Sequence, residues 1–185
     1  MGPPEKIVAL HEELEAGGLP HAFGGALALA WCTGRRRGTI DIDIDIDIDI
    51  DVNVFVGVHE APRVFGVLPD AVDRNPTLLE GLRRDGQVRL WSAQTPVDLF
   101  LSRTSYHGAV AGRVRWERFM GRSLRFLPCN DLAVFKAFLD RTKDRADLEE
   151  MAAAGTIDTG TVAAVRIEML GEDDERVPRL MALSE

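Results

Sequence analysis

The run TIDIDIDIDIDIDVNVFV, residues 39–56, constrains this chain more than any other feature. Strict alternation from Ile40 through Val56 puts Ile and Val on one side and Asp, Asn53 and Phe55 on the other, the period-2 pattern of a strand with one buried face. At 17 residues it far exceeds the usual strand of about 3–10. The Ile-Asp unit reads as expansion of a two-residue repeat, so part of it is expected to loop out or overhang the sheet. A strand with one apolar face needs neighbours to pair with and a layer to cover it.

The flanking segments supply both. Pro3 and Pro4 precede Ile7, Val8, Leu10 and Leu14, and Gly17-Gly18 follows, which predicts a first helix with a glycine stop. Residues 20–23 read as a short strand ending at Gly24-Gly25, and 26–31 as a short Ala/Leu helix, with a polar loop over 33–38. Beyond the alternating run, 60–84 reads as helix broken at Pro69 and Pro76, Asp85-Gly86 as a turn, and 87–91 and 97–101 as two more strands. After Arg103 the pattern predicts mostly helix, with caps at Asn130 or Asp131, at Asp144, and at Asp158 or Thr159. The expected fold class is α/β (α+β), a mixed sheet with flanking helices, with a core over 1–128 and a helical C-terminal segment over 129–185.

Composition narrows the function classes. The net charge of −8 is concentrated in the six aspartates from Asp41 to Asp51; the remainder is near neutral, and six arginines lie between Arg103 and Arg125 against the single acid Glu117. A local basic surface for nucleotide or RNA therefore stays open beside a merely solvated face. Cys32 and Cys129 form no Cys-x-x-Cys pair and are expected to be buried thiols in a reducing compartment. The acidic N-terminal stretch and the lack of an apolar run near 20 residues point to a cytoplasmic protein. His21 is expected at a strand edge with a backbone hydrogen bond, and Trp31, Trp91 and Trp116 are expected to be core or partly buried.

The chemistry sits in the carboxylates. Aspartates at i and i+2 of a strand project to one side, roughly 7 Å apart at their Cα atoms, so their oxygens can converge on a pair of hard cations about 3.5–4 Å apart. Mg²⁺, or Mn²⁺, suits such a site, because it takes one or two carboxylates and completes its shell with water and substrate phosphates. Asp98, in TPVDLFLS, is the acid flanked on both sides by strand-like apolar residues, and is the candidate third ligand. Gly24-Gly25, between a strand and a helix, offers backbone N–H groups and a helix N-terminus to a triphosphate. Each part alone is common. The order Gly-Gly turn, short helix, Arg37 and Thr39, Asp-x-Asp strand and later Asp is much rarer.

HAFGGALALAWCTGRRRGTIDID with VNVFV, then RLWSAQTPVDLFLS and LAVFKAFLDRTKDRADLEEM, resembles the nucleotidyltransferase core of the AbiE-type toxins, in the DNA polymerase beta superfamily, over roughly residues 20–155. The resemblance implies a metal-dependent nucleotidyltransferase whose Gly24-Gly25 turn, with Arg37 and Thr39, binds the nucleoside triphosphate and whose three aspartates hold Mg²⁺. It also implies phosphate contact by Lys136, with Arg141, Lys143, Asp144 and Asp147 as weaker candidates. The repeat leaves two registers. Spacing from Gly25 points to Asp41 and Asp43, whereas spacing back from VNVFV points to Asp49 and Asp51. The second is preferred, because loops absorb insertions cheaply while a docked strand cannot slip without losing its partners. The implied reaction moves a nucleotide to an acceptor hydroxyl, that of a tRNA in the toxin-like reading. The alternatives are a small-molecule nucleotidyltransferase acting on aminoglycoside-like acceptors, and an impaired enzyme that keeps the fold as the partner of an antitoxin protein.

Overall fold

A computed structural model of the chain describes residues 1–34 and 49–183. In order the elements are α1 (Pro3–Ala16), β1 (His21–Phe23), α2 (Gly25–Cys32), β2 (Ile50–Gly57), α3 (Ala61–Val67), α4 (Pro76–Asp85), β3 (Gln87–Ser92), β4 (Thr95–Ser102), α5 (Ser105–Ala109), β5 (Arg115–Phe119), β6 (Arg122–Phe126), α6 (Cys129–Leu139), α7 (Thr142–Ala153), α8 (Thr159–Leu170) and α9 (Arg176–Ala182). The described residues fall into two compact units, 1–27 with 49–127, and 28–34 with 128–183.

The first unit is built on a six-stranded mixed sheet in the order β3-β4-β2-β1-β6-β5. β2 runs parallel to β4 and β1 parallel to β6, and the other neighbours are antiparallel. Ile50, Val52 and Val54 are fully buried on one face of β2. His21 and Phe23 stand opposite Val54 and Val52 in the ladder and share that face, where His11 of α1 meets His21. α1 buries Ile7, Leu10 and Leu14. Its apolar stripe comes from the 3.6-residue spacing of those positions. The other face of β2 carries Asp51, Asn53 and Phe55. Asn53 and Phe55 are themselves buried, so this strand is covered on both sides where the sequence promised one. His107 of α5 supplies that cover, its ring edge-on to Phe55 at 5.7 Å.

Two expectations fail here. Residues 115–126 are not helical: β5 and β6 form a hairpin at the sheet edge. Its turn is Met120-Gly121, both at positive φ (47° and 74°), the conformation that two-residue hairpin loops need to match strand twist. A methionine at that first position is no turn signal, and the arginine-rich strands hide their alternation. Trp116 and Trp91 are also more exposed than expected, at 54% and 44%, while Trp31 is buried. His21 does hydrogen-bond a backbone carbonyl, that of Leu19, but it is fully buried.

The second unit packs Leu132, Ala133 and Ala137 of α6 with Leu148 and Met151 of α7, Val162 and Ala163 of α8, and Leu180 of α9. Its caps differ in part from expectation. Asp158 caps α8 by accepting from Thr161 N, but Asn130 and Asp131 lie inside the first turn of α6, after Pro128. Asp144 is the third residue of α7 and bonds back to the N–H of Arg141. The largest correction concerns the cysteines. Cys32, ending α2, and Cys129, opening α6, are joined in a disulfide with their Cα atoms 5.6 Å apart. Their 97-residue separation conceals the juxtaposition from any spacing rule. The step from two lone cysteines to a reducing compartment therefore lapses, since disulfides persist mainly in oxidising ones. No helix among the described residues is long and apolar enough to cross a membrane.

Candidate active site

The site is a row across the sheet. Arg89 of β3 is the ladder partner of Asp98 of β4, and Asp98 is the ladder partner of Asp51 of β2. Gly24 continues the row past the end of β1, its N–H donating to the Asp51 carbonyl at 2.9 Å. Neighbouring strands lie about 4.8 Å apart, so one row brings an arginine, two aspartates and a glycine turn side by side. Asp49, two residues before Asp51, joins through Arg89. The guanidinium Nη2 donates to Asp49 Oδ2 and to Asp98 Oδ2, both at 2.6 Å, while its Nε donates to Asp98 Oδ1 at 2.7 Å. These bonds to carboxylates push the already high Arg89 pKa higher still.

Gly25 is at φ +54°, a left-handed conformation that costs other residues energy, and it opens α2. A Cβ at this position would lie 1.9 Å from Asp51 Oδ2, so the turn and the carboxylate are fitted to each other. Gly25→Ala is expected to push Asp51 out of place and unseat the turn, costing about 1–3 kcal/mol of stability and most of any triphosphate affinity. Chemical denaturation and titration calorimetry on the same preparation check both effects.

Behind this row, Asn53 sits on the same face as Asp51, and the space beside Gly24 is closed by Asn53 Nδ2 and Leu127. The Asn53 side-chain amide is 3.1 Å from His107 Nε2. Burial pushes His107 down to about 4, despite a hydrogen bond with Leu101 that acts the other way. Burial likewise lowers His21, on the opposite face, to about 4. Both are neutral when folded and take up protons on unfolding below the ordinary histidine value of about 6.5. Stability in metal-free buffer is therefore expected to be flat above pH 6.5 and to fall as pH drops from 6.5 towards 4, by up to about 1.4 kcal/mol per pH unit for each histidine. Urea unfolding at half-unit pH steps reads this slope.

Of the residues predicted from sequence, the structure brings Asp49, Asp51, Asp98, Gly24 and Gly25 together in one unit. Lys136 belongs to the helical unit, where its Nζ donates to Asp147 at 2.5 Å and stands 3.8 Å from Asp144. Arg141 bonds to the same Asp144. Arg37, Thr39, Asp41 and Asp43 lie outside the described residues. Arg89, Asn53 and His107 were missed. Arg89 was the findable one, as the central polar residue of a predicted strand whose antiparallel neighbour carries Asp98.

Carboxylates are the donors that a hard divalent cation takes, and Asp51 and Asp98 are ladder partners with Asp49 two residues before Asp51. Two of them already converge on one cationic group, and the third stands beside Asp98 in the ladder at the glycine turn.

No protein-family model and no curated protein sequence matches the chain. Among solved structures it matches the antibiotic-resistance factor ANT(2'')-Ia with a TM-score of 0.51 and 14% identity, over 97% of this chain and 89% of that one. The fold is of the nucleotidyltransferase type. Two further structures match at lower TM-scores. An antigenic nucleotidyltransferase-like protein from Paracoccidioides brasiliensis does so at 0.45, with 13% identity over 94% of this chain and 91% of that one. A putative nucleotidyltransferase from H. pylori does so at 0.34, with 12% identity over 97% and 89%.

Proposed function

We propose that the chain is a metal-dependent nucleotidyltransferase that moves a nucleotide from a nucleoside triphosphate to an acceptor hydroxyl. The observation that carries this reading is the row of Asp98, Asp51 and Gly24-Gly25, with Asp49 drawn in through Arg89. Carboxylates alone would make a cation site. Carboxylates fitted against a glycine turn at a helix N-terminus make a place where a cation and a phosphate chain meet.

Asp49, Asp51 and Asp98 would hold Mg²⁺ or Mn²⁺, which when bound polarises phosphoryl oxygens and neutralises the charge of the departing pyrophosphate. The chain's own contribution is position. Backbone N–H groups of the Gly24-Gly25 turn orient the phosphates, and Asn53, held by His107, keeps the turn against β2. Arg89 occupies the space between Asp49 and Asp98, so it swings aside or shares its carboxylates when a divalent cation enters. The same arginine favours the second reading, an impaired enzyme that keeps the fold as a binding partner, since a guanidinium already satisfies two of the three acids.

The acceptor follows two lines of support. The resemblance to AbiE-type toxins favours a tRNA, with an antitoxin protein as a partner, and the shared fold with an antibiotic-resistance factor favours a small molecule with hydroxyl groups, aminoglycoside-like. Calorimetry with each nucleoside triphosphate in Mg²⁺ and in EDTA tests the core of the proposal. Equal affinity in both would remove the metal clamp. Triphosphate labelled at the α-phosphate, incubated with bulk tRNA or with an aminoglycoside, then reads transfer to either acceptor. Metal-dependent binding without transfer to any acceptor would favour the impaired-enzyme reading.

A further inference from the structure

On the sheet face opposite the aspartates, α1 and β1 enclose a second cluster of metal-ligating groups. His11 and Glu15 are one turn apart on α1, and His21 opens β1 beneath them. One donor atom from each residue lies within 4.8 Å of the other two. His21 is fully buried and His11 is 9% exposed, while the Glu15 side chain is 39% exposed.

The hydrogen bonds set the protons. His21 Nδ1 is 2.9 Å from the Leu19 carbonyl oxygen, which can only accept, so Nδ1 carries the hydrogen and Nε2 carries the lone pair. That lone pair points at His11 Nδ1, 2.9 Å away. A histidine whose second ring N–H is anchored on a backbone carbonyl is oriented as metal-ligating histidines ordinarily are. Two nitrogens bound to one tetrahedral Zn²⁺ stand roughly 3.3 Å apart, so the pair needs to open by only a few tenths of an ångström. His11 meets the change by moving its hydrogen to Nε2, with no net proton released. Glu15 is already held at Oε1 by Arg125 Nη2 at 2.6 Å, and ligating carboxylates are commonly hydrogen-bonded in turn.

The charges facing the cluster are Glu12, Arg122 and Arg125. Arg122 is paired to Glu12 at 2.8 Å, and Arg125 lies over the Trp116 ring, 4.7 Å from its centroid. An incoming dication therefore meets two arginines already partnered by acids, Arg122 by Glu12 and Arg125 by Glu15 itself, the latter also braced against an exposed indole.

We propose that His11, Glu15 and His21 form a site for a borderline transition-metal ion, Zn²⁺ in the first instance, that staples α1 to β1. The donor set of two imidazoles and one carboxylate leaves the fourth position to water. Its nitrogen ligands separate it from the hard Asp49, Asp51 and Asp98 cluster, which selects oxygen-seeking ions. The site is independent of nucleotidyl transfer.

The test uses the tag-free, chelator-stripped 185-residue chain in millimolar Mg²⁺, added to saturate the proposed hard carboxylate cluster. Zn²⁺ is titrated against a chromophoric chelator, and Co²⁺ is used to read the ligand field. One equivalent of Zn²⁺ is expected, with Co²⁺ giving the intense visible bands of low coordination. His11→Gln and Glu15→Gln are each expected to weaken Zn²⁺ binding by at least about 10–100-fold. Saturating Zn²⁺ is expected to raise the thermal midpoint by roughly 5–10 °C in the wild type and not in these variants. Glu15→Gln removes only the charge of a partly exposed side chain, so it reports on the site even where substitution of a buried histidine unfolds the protein. Failure of the wild type to compete with the chelator overturns the proposal. So do unchanged affinities in both variants, or loss of Zn²⁺ in Asp51→Asn with retention in His11→Gln.

Discussion

Asp51→Asn is expected to lower nucleotidyl transfer by about 10³-fold or more, equivalent to roughly 4 kcal/mol of transition-state stabilisation. The substitution preserves shape and removes charge. Asp51 is the carboxylate set against the Gly25 turn and beside Asp98 in the ladder. On the proposed reading, losing its charge removes one of the carboxylates that would hold the metal at the point where cation and phosphate would meet. Asp98→Asn should act in the same direction and also release Arg89 from its bidentate bond. Folding should change little, within about 1 kcal/mol, because relieving the crowding of acids offsets part of the lost ion pairing. Asp41→Asn with Asp43→Asn should leave activity close to wild type. The assay is the α-phosphate transfer reaction, with triphosphate affinity measured in parallel. Full activity in Asp51→Asn alongside inactive Asp41→Asn/Asp43→Asn would show that spacing from the glycine turn selects the working carboxylates.

The legible part of this molecule was the part governed by local rules. Alternation at residues 50–56, the Gly24-Gly25 punctuation and the apolar frame around Asp98 each follow from side-chain periodicity or backbone permissiveness within a few residues. They placed α1, β1, α2, β3 and β4 close to where they are found, and the last part of the expected strand over 40–56 falls on β2, its residues 40–48 lying outside the described residues. What escaped was non-local or locally atypical. Arg89 acquires its role only when β3 pairs with β4 in a register that no single segment states. The β5-β6 hairpin turns on a methionine in a conformation that glycine or asparagine usually takes. The disulfide joins two helices separated by nearly the whole sheet, and the His11–His21 pair exists because α1 lies across β1. Each of these depends on which segments meet, and period and propensity do not encode that.

The disulfide sets the second large effect. Replacing Cys32 and Cys129 together by serine is expected to cost about 4 kcal/mol, because the bond closes a loop of 97 residues and forbids the unfolded chain its most extended states. The loop contains every strand except β1, so the constraint acts on the sheet as well as on the two helices it joins. Two signatures separate this mechanism from loss of packing around a sulfur. The oxidised protein should unfold with a smaller denaturant dependence than the double variant, since its cross-linked unfolded state exposes less surface. Dithiol treatment of the wild type should reproduce the variant's midpoint, while leaving the variant itself unchanged. The drop corresponds to roughly 10 °C in thermal midpoint for a chain of this size. Cys32 also lies two turns beyond Gly25 on the same helix, so the cross-link fixes the far end of the helix whose first turn faces Asp51. Reduction should therefore weaken triphosphate binding measured well below the unfolding temperature. Unchanged affinity in the reduced, still folded protein would show that the glycine turn is held by β1 and β2 alone, leaving the disulfide a purely thermodynamic role.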